Sequence, residues 1–220
     1  MSTWVIIPVK PLRLAKSRLA DMLSPEDRQK VAEAMFRHVL GVVGQVRQVA
    51  GTLVISRDNS ALALAREYGA KTIQESGAPE LNTALMRATS VVASWRCDSI
   101  LILPADLPLI TAQDVIDIIE MGRKSHPSVV IATDRERDGT NALYIQPPGL
   151  IQYGYGDNSF QRHAVLARDA GAEVNVYQSD RMLQDIDLPE DLENYTRIIQ
   201  RGKHLTPLME VLQQIRNREV

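Results

Sequence analysis

The chain has 220 residues, 45% of them hydrophobic and 24% charged, with a net charge of −2. That length suits one large domain with a substantial core, and the near-neutral balance argues against nucleic acid or an anionic membrane as a partner. A single cysteine, Cys97, rules out an intramolecular disulfide, no apolar run approaches the ~20 residues that span a bilayer, and the N-terminus shows neither a basic leader nor a cleavage site, so a cytoplasmic location is expected.

Strand and helix signals alternate along nearly the whole chain. Residues 4–9 (WVIIPV) form a continuous apolar run, the pattern of a strand covered on both faces. Ser24, Pro25, Glu26 and Asp27 then make a helix start, and Val31, Met35, Val39, Val42 and Val46 give that helix one apolar stripe. Strands are predicted at 53–56, 71–74, 99–103, 128–133, 142–145 and 173–177, and helices at 61–68, 82–95, 160–170, 189–200 and 207–218. Another helix begins at Thr111, with Asp114 at its third position. This order predicts an α/β fold, a single-domain Rossmann-like, mostly parallel sheet flanked by helices. The domain is expected to span 1–200, with 201–220 a terminal helix packed on it or on a partner in a homodimer; 201–205 is the only candidate hinge.

Open sheets of this kind bind ligands beyond the carboxyl ends of their strands, which directs attention to the residues after Val9, Leu103 and Ile145. The loop after Val9 carries Lys10, Arg13, Lys16 and Arg18 with no acid among them. Clustered like charges repel unless an anion joins them, so the loop is either a solvated basic turn or a phosphate cradle. It lacks glycine and is therefore neither a Walker loop nor a dinucleotide fingerprint. After the 99–103 strand comes Pro104-Ala105-Asp106-Leu107-Pro108. Asp106 there can hold a magnesium ion on phosphate oxygens or serve as a turn residue. In Asp185-Ile186-Asp187, alternation in an extended segment puts both carboxylates on one side. Thr140 follows Asp138-Gly139, and Ser159 follows Gly156-Asp157-Asn158 at a helix start; both hydroxyls can donate to an anion, or Ser159 can cap its helix. His163, one turn on, can touch the same anion or pack as a satisfied histidine.

These elements in this order resemble the MobA-like nucleotidyltransferases, and within them the guanylyltransferases of coenzyme F(420) biosynthesis. The resemblance rests on IPVKPLRLAKSRL, LNTAL, LPADLPL, DGTNAL, YGDNSFQRH and DIDLPEDL, and covers residues 3–200. It implies the nucleotide-diphospho-sugar transferase (MobA-like) fold, and the joining of GMP from GTP to a phosphorylated three-carbon acid, with release of pyrophosphate. Carried over by position, Lys10, Lys16, Ser17 and Arg18 match the triphosphate loop, and Asn82 a nucleotide-binding segment. Asp106, Asp185 and Asp187 match the ligands of Mg2+, with Lys16, Arg18 and Asp106 in catalysis, and Thr140, Gly156 and Ser159 match the cradle for the acid. Two departures stand out: Leu188 replaces a capping threonine, so another group must cap the helix that follows, and Pro79-Glu80 replaces a common glycine. Transfer to a sugar phosphate or a molybdopterin, and non-catalytic nucleotide binding, are the rival readings.

Overall fold

The computed structural model describes residues 1–77, 80–202 and 206–218. The chain runs β1 (Thr3–Val9), α1 (Pro25–Gly44), β2 (Val49–Ser56), α2 (Asn59–Glu67), β3 (Lys71–Gln74), α3 (Leu81–Ser94), β4 (Ser99–Ile102) and α4 (Ala112–Gly122). It continues β5 (Ser128–Thr133), β6 (Thr140–Gln146), α5 (Ser159–Asp169), β7 (Glu173–Tyr177), α6 (Pro189–Gly202) and α7 (Pro207–Arg216). The strands join in one seven-stranded sheet of order β3-β2-β1-β4-β6-β5-β7. Every neighbouring pair is parallel except the two that involve β6.

The apolar runs become strands because both faces of the sheet are covered. In β1 the side chains of Val5, Ile7 and Val9 enter one core with α1, α2 and α4, while Ile6 enters the other with α3 and α5. A third cluster joins Met35 of α1 to Tyr195 of α6 and to Leu208, Leu212 and Ile215 of α7. The terminal helix thus lies on its own chain; of the candidate hinge, residues 203–205 fall outside the described residues, as does Pro79. Among the described residues no helix is long and apolar enough to cross a membrane. Cys97 is half-buried, and burial pushes its thiol up to about 11, so it behaves as an inert packing group.

Helix starts follow the local chemistry of the chain. Ser24 accepts from the Asp27 amide, and Thr111 with Asp114 forms a reciprocal capping box. At α6, where Leu188 cannot cap, the Asp191 carboxylate accepts from the backbone N–H groups of Asp187 and Leu188 at 3.1 and 2.7 Å. A residue inside the helix thus makes the reciprocal half of a capping box, and it also holds the segment carrying Asp187.

Candidate active site

A cleft of about 520 Å³ opens along the carboxyl rim of the sheet. Its centre is the point where the chain order reverses, between β1, which leads on to β2, and β4, which lies on its other side. Lys10 and Lys16 follow β1 and Asp106 follows β4, as the strand rule requires. The expectation for Ile145 is corrected. Because β6 runs antiparallel to β4 and β5, its start and not its end reaches this rim, bringing Gly139, Thr140 and Asn141 into the cleft.

Lys16 is the hub. It sits in the left-handed backbone region (φ 55°, ψ 38°) between two single 3-10 turns, Leu12–Leu14 and Ser17–Leu19. A non-glycine residue is rarely held there without a local cost, of about 1 kcal/mol, and here the turn sends the side chain inward. Its ammonium lies 2.7 Å from Asp106 Oδ2 and 3.0 Å from Asp187 Oδ1, with only 5% of the side chain exposed. Burial alone would lower the lysine pKa, but Asp106 and Asp187 outweigh it and raise the net value, so Lys16 stays charged. Arg18 is 69% exposed and approaches Asp187 at 3.8 Å from the solvent side.

The carboxylates expected from distant stretches of the chain therefore meet. Burial, and then the charges of Asp106 and Asp187, push the Asp185 carboxyl up to about 6. Burial acts the same way on Asp187, but Lys16, Arg18 and Lys10 override it and hold that carboxyl below its usual value. Among the described residues no three of His, Cys, Asp and Glu are spaced to hold a metal ion by themselves. The all-oxygen donor set nonetheless suits magnesium, which takes one or two protein carboxylates and completes its shell with phosphate oxygens and water. The repulsion felt by Asp185 is the kind a divalent cation relieves.

The far end of the cleft is built by two braced loops. Asp134, just after β5, accepts from the amides of Asp138 and Gly139 at 3.0 and 2.7 Å. A Cβ on Gly139 would lie 2.5 Å from that carboxylate, so any larger residue would have to push it off the amides it holds. Asp138 in turn holds the second loop through the amides of Asn158 (3.0 Å) and Phe160 (2.9 Å). Gly156 has φ +120°, a conformation closed to other residues without strain. Thr140, Gly156 and Ser159 all line this end. Ser159 is the first residue of α5, whose cap position is held by Asn158, so its hydroxyl is not used as a side-chain cap. His163 lies behind Thr140, fully buried and hydrogen-bonded to it, and does not line the cleft.

Three expected residues lie outside the cleft lining, Arg18 among them, on the solvent side of Asp187. Ser17 is exposed and lies outside the cleft lining. Asn82 has both ends of its amide on the backbone of Tyr155, accepting from its N–H at 2.8 Å and donating to its carbonyl at 3.4 Å. It ties α3 to the Gly156 loop and stays out of the cleft lining. Conversely, Arg57 after β2, Glu75 after β3 and Asp134 after β5 line the cleft without having been singled out. Each stands just beyond a strand's carboxyl end, so the same strand rule applied to all parallel strands finds them. Arg57 Nε and Glu75 Oε1 are 3.4 Å apart.

Comparison with known proteins places the chain in a family and a fold. Residues 3–216 match the family described as "Guanylyl transferase CofC like". The chain is 38% identical to the phosphoenolpyruvate guanylyltransferase of Rubrobacter xylanophilus over 194 residues, covering 87% of this chain and 92% of that one. It is also 38% identical to the 2-phospho-L-lactate guanylyltransferase of Methanothermobacter thermautotrophicus over 192 residues, covering 87% and 83% respectively. In fold it is similar to a Desulfovibrio desulfuricans protein assigned to the nucleotide-diphospho-sugar transferases (TM-score 0.80, 15% identity, 97% and 95% coverage). It is also similar to 4-diphosphocytidyl-2C-methyl-D-erythritol synthase from Anaerococcus prevotii (TM-score 0.62, 12% identity, 90% and 98% coverage). The chain is an enzyme that transfers a nucleotidyl group, and it belongs to the CofC-like guanylyltransferase family.

Proposed function

We propose that this enzyme joins GMP from GTP to the phosphate of a phosphorylated three-carbon acid, releasing pyrophosphate, as a step in assembling coenzyme F(420). The observation that carries the proposal is the Lys16 bridge between Asp106 and Asp187, set between a cationic loop and the Thr140–Gly156–Ser159 cradle in one cleft. An oxygen of the acid's phosphate attacks the α-phosphorus of GTP as the α–β phosphoanhydride bond breaks. That oxygen is already ionised near neutral pH, so no general base is needed, and among the described residues no histidine lines the cleft. Bringing two anions together is the obstacle, and positioning with charge neutralisation overcomes it. Lys10, Lys16 and Arg18 neutralise the triphosphate and the departing pyrophosphate. Thr140, Gly156 and Ser159 orient the acid. Asp106, Asp185 and Asp187 are the carboxylates that would offer oxygens to Mg2+, one or two of them at a time, and the ion would supply further neutralisation of the phosphate oxygens. Both substrates are multiply charged and do not cross membranes unaided, so the reaction is placed in the cytoplasm.

Pyrophosphate release should appear with GTP, Mg2+ and one of phosphoenolpyruvate, 2-phospho-L-lactate or 3-phosphoglycerate, tested side by side. Release with a sugar phosphate and with none of the three acids would overturn the acceptor. The base is assigned to the β2–β3 end, where Glu75 can accept from the ring and exocyclic N–H groups of guanine and Arg57 can donate to its carbonyl oxygen. Glu75→Ala is expected to lower kcat/KM for GTP by about tenfold or more while leaving the KM for the acid unchanged. An equal loss for both substrates would remove Glu75 from base selection.

A further inference from the structure

Hydrogen bonding fixes the direction of one proton at the acid end of the cleft. The His163 ring is wholly buried. Its Nε2 lies 3.0 Å from the backbone nitrogen of Gly154, and its Nδ1 lies 3.0 Å from Thr140 Oγ1. The carbonyl of the same residue, in the next peptide unit, accepts from Arg162 Nη1 at 2.8 Å. Tyr155 packs edge-on against the imidazole at 4.8 Å. A backbone N–H only donates, so Nε2 is the acceptor and carries no proton. Burial, with a smaller push from Arg162, brings the His163 pKa down to about 4, so the ring is neutral and its single proton sits on Nδ1. The opposite tautomer would set two N–H groups head to head.

Thr140 Oγ1 therefore accepts from His163. Its own proton points away from the ring, and among the described residues it meets no other hydrogen-bond partner. Thr140 lines the cleft. We propose that His163 is a positioning residue which presets the Thr140 hydroxyl as a donor to an oxygen of the phosphorylated acid. This rests on the acid-binding reading of the Thr140 end. The histidine touches no substrate. It removes the freedom of the hydroxyl to present a lone pair, so the ligand atom opposite must be an acceptor, as carboxylate and phosphate oxygens are.

The test compares His163→Phe, His163→Asn, Thr140→Val and the double variant Thr140→Val with His163→Phe, reading KM for the acid and for GTP separately. Thr140→Val and His163→Phe should each raise the KM for the acid about tenfold and leave that for GTP unchanged. The double variant should be no worse than Thr140→Val alone. His163→Asn, which keeps a donor near the Nδ1 position, should recover much of the loss. Multiplying losses in the double variant, or equal losses for both substrates, would overturn the relay. If His163→Phe does not fold, His163→Asn decides: acid affinity close to that of the parent supports the relay, and the Thr140→Val level overturns it. A Thr140→Val enzyme with unchanged acid KM would sink the acid site itself, and a parent enzyme inactive with GTP and every acid would sink the proposed reaction.

Discussion

Asp106→Asn should lower turnover by about a thousandfold while leaving the fold intact. The carboxylate stands at the rim of the central strand β4, is about one-third exposed, and carries no packing duty that an amide of equal size would fail. The substitution removes two things at once. One is half of the negative charge that holds Lys16 in the cleft, since the Lys16–Asp106 contact at 2.7 Å is the shorter of its two ion pairs. The other is an anionic oxygen donor for the proposed divalent cation. Steady-state pyrophosphate release across a magnesium titration, paired with a thermal melt, checks it. Activity within tenfold of the parent would remove Asp106 from the chemistry, and a large fall in Tm would show a structural role instead.

Asp114→Ala is expected to give the largest loss of stability, about 3–5 kcal/mol, or a fall in Tm of roughly 10 °C. This carboxylate is fully buried. It accepts from Thr111 N at 2.9 Å and Thr111 Oγ1 at 2.6 Å, from Tyr177 OH at 2.9 Å, and from Ser179 Oγ at 2.8 Å. Arg181 adds a forked pair through Nε and Nη2, both at 2.8 Å. Burial by itself would raise the carboxyl's pKa, but Arg181, Thr111 and Ser179 together hold it well below the usual range. A carboxyl depressed in the folded state adds stability that is complete above the unfolded pKa of about 3.9 and is lost as pH falls toward the folded value. The Tm gap between parent and variant should thus stay constant from pH 8 to about 5 and narrow below 4. Since residues 177–181 lead directly to Asp185 and Asp187, activity should fall with stability. A variant with parental Tm would show that the segment is held elsewhere.

The elements most legible in the sequence were those whose cause is local. Lys71–Gln74, Ser128–Thr133 and Glu173–Tyr177 fall where the apolar patterns put them, and the Thr111–Asp114 box was readable from two residues. The approach of Asp106 to the loop after β1 was legible because both follow strands that flank the switch point, whereas Asp185 and Asp187 lie in no strand and their place beside them was implied by the family resemblance. The reversal of β6 was not read, since an apolar strand looks the same in either direction. Its signal was the short connection 134–139, too short for a parallel crossover of a dozen or more residues. The task of Asn82 was hidden for a different reason: its partner, Tyr155, lies 73 residues away, and no spacing reveals it. The same holds for His163 of α5, whose two partners are a loop amide and a hydroxyl on β6.

That one backward strand also makes the enzyme modular. In the proposed reaction the parallel strands β1 to β4 present the machinery for the nucleotide, whereas the recipient of the nucleotidyl group meets a hairpin turn and the mouth of α5. Loops tolerate exchange more readily than the strands that carry them. A lineage can therefore retune its choice of acceptor by editing two short turns, with the guanylate-handling half left untouched.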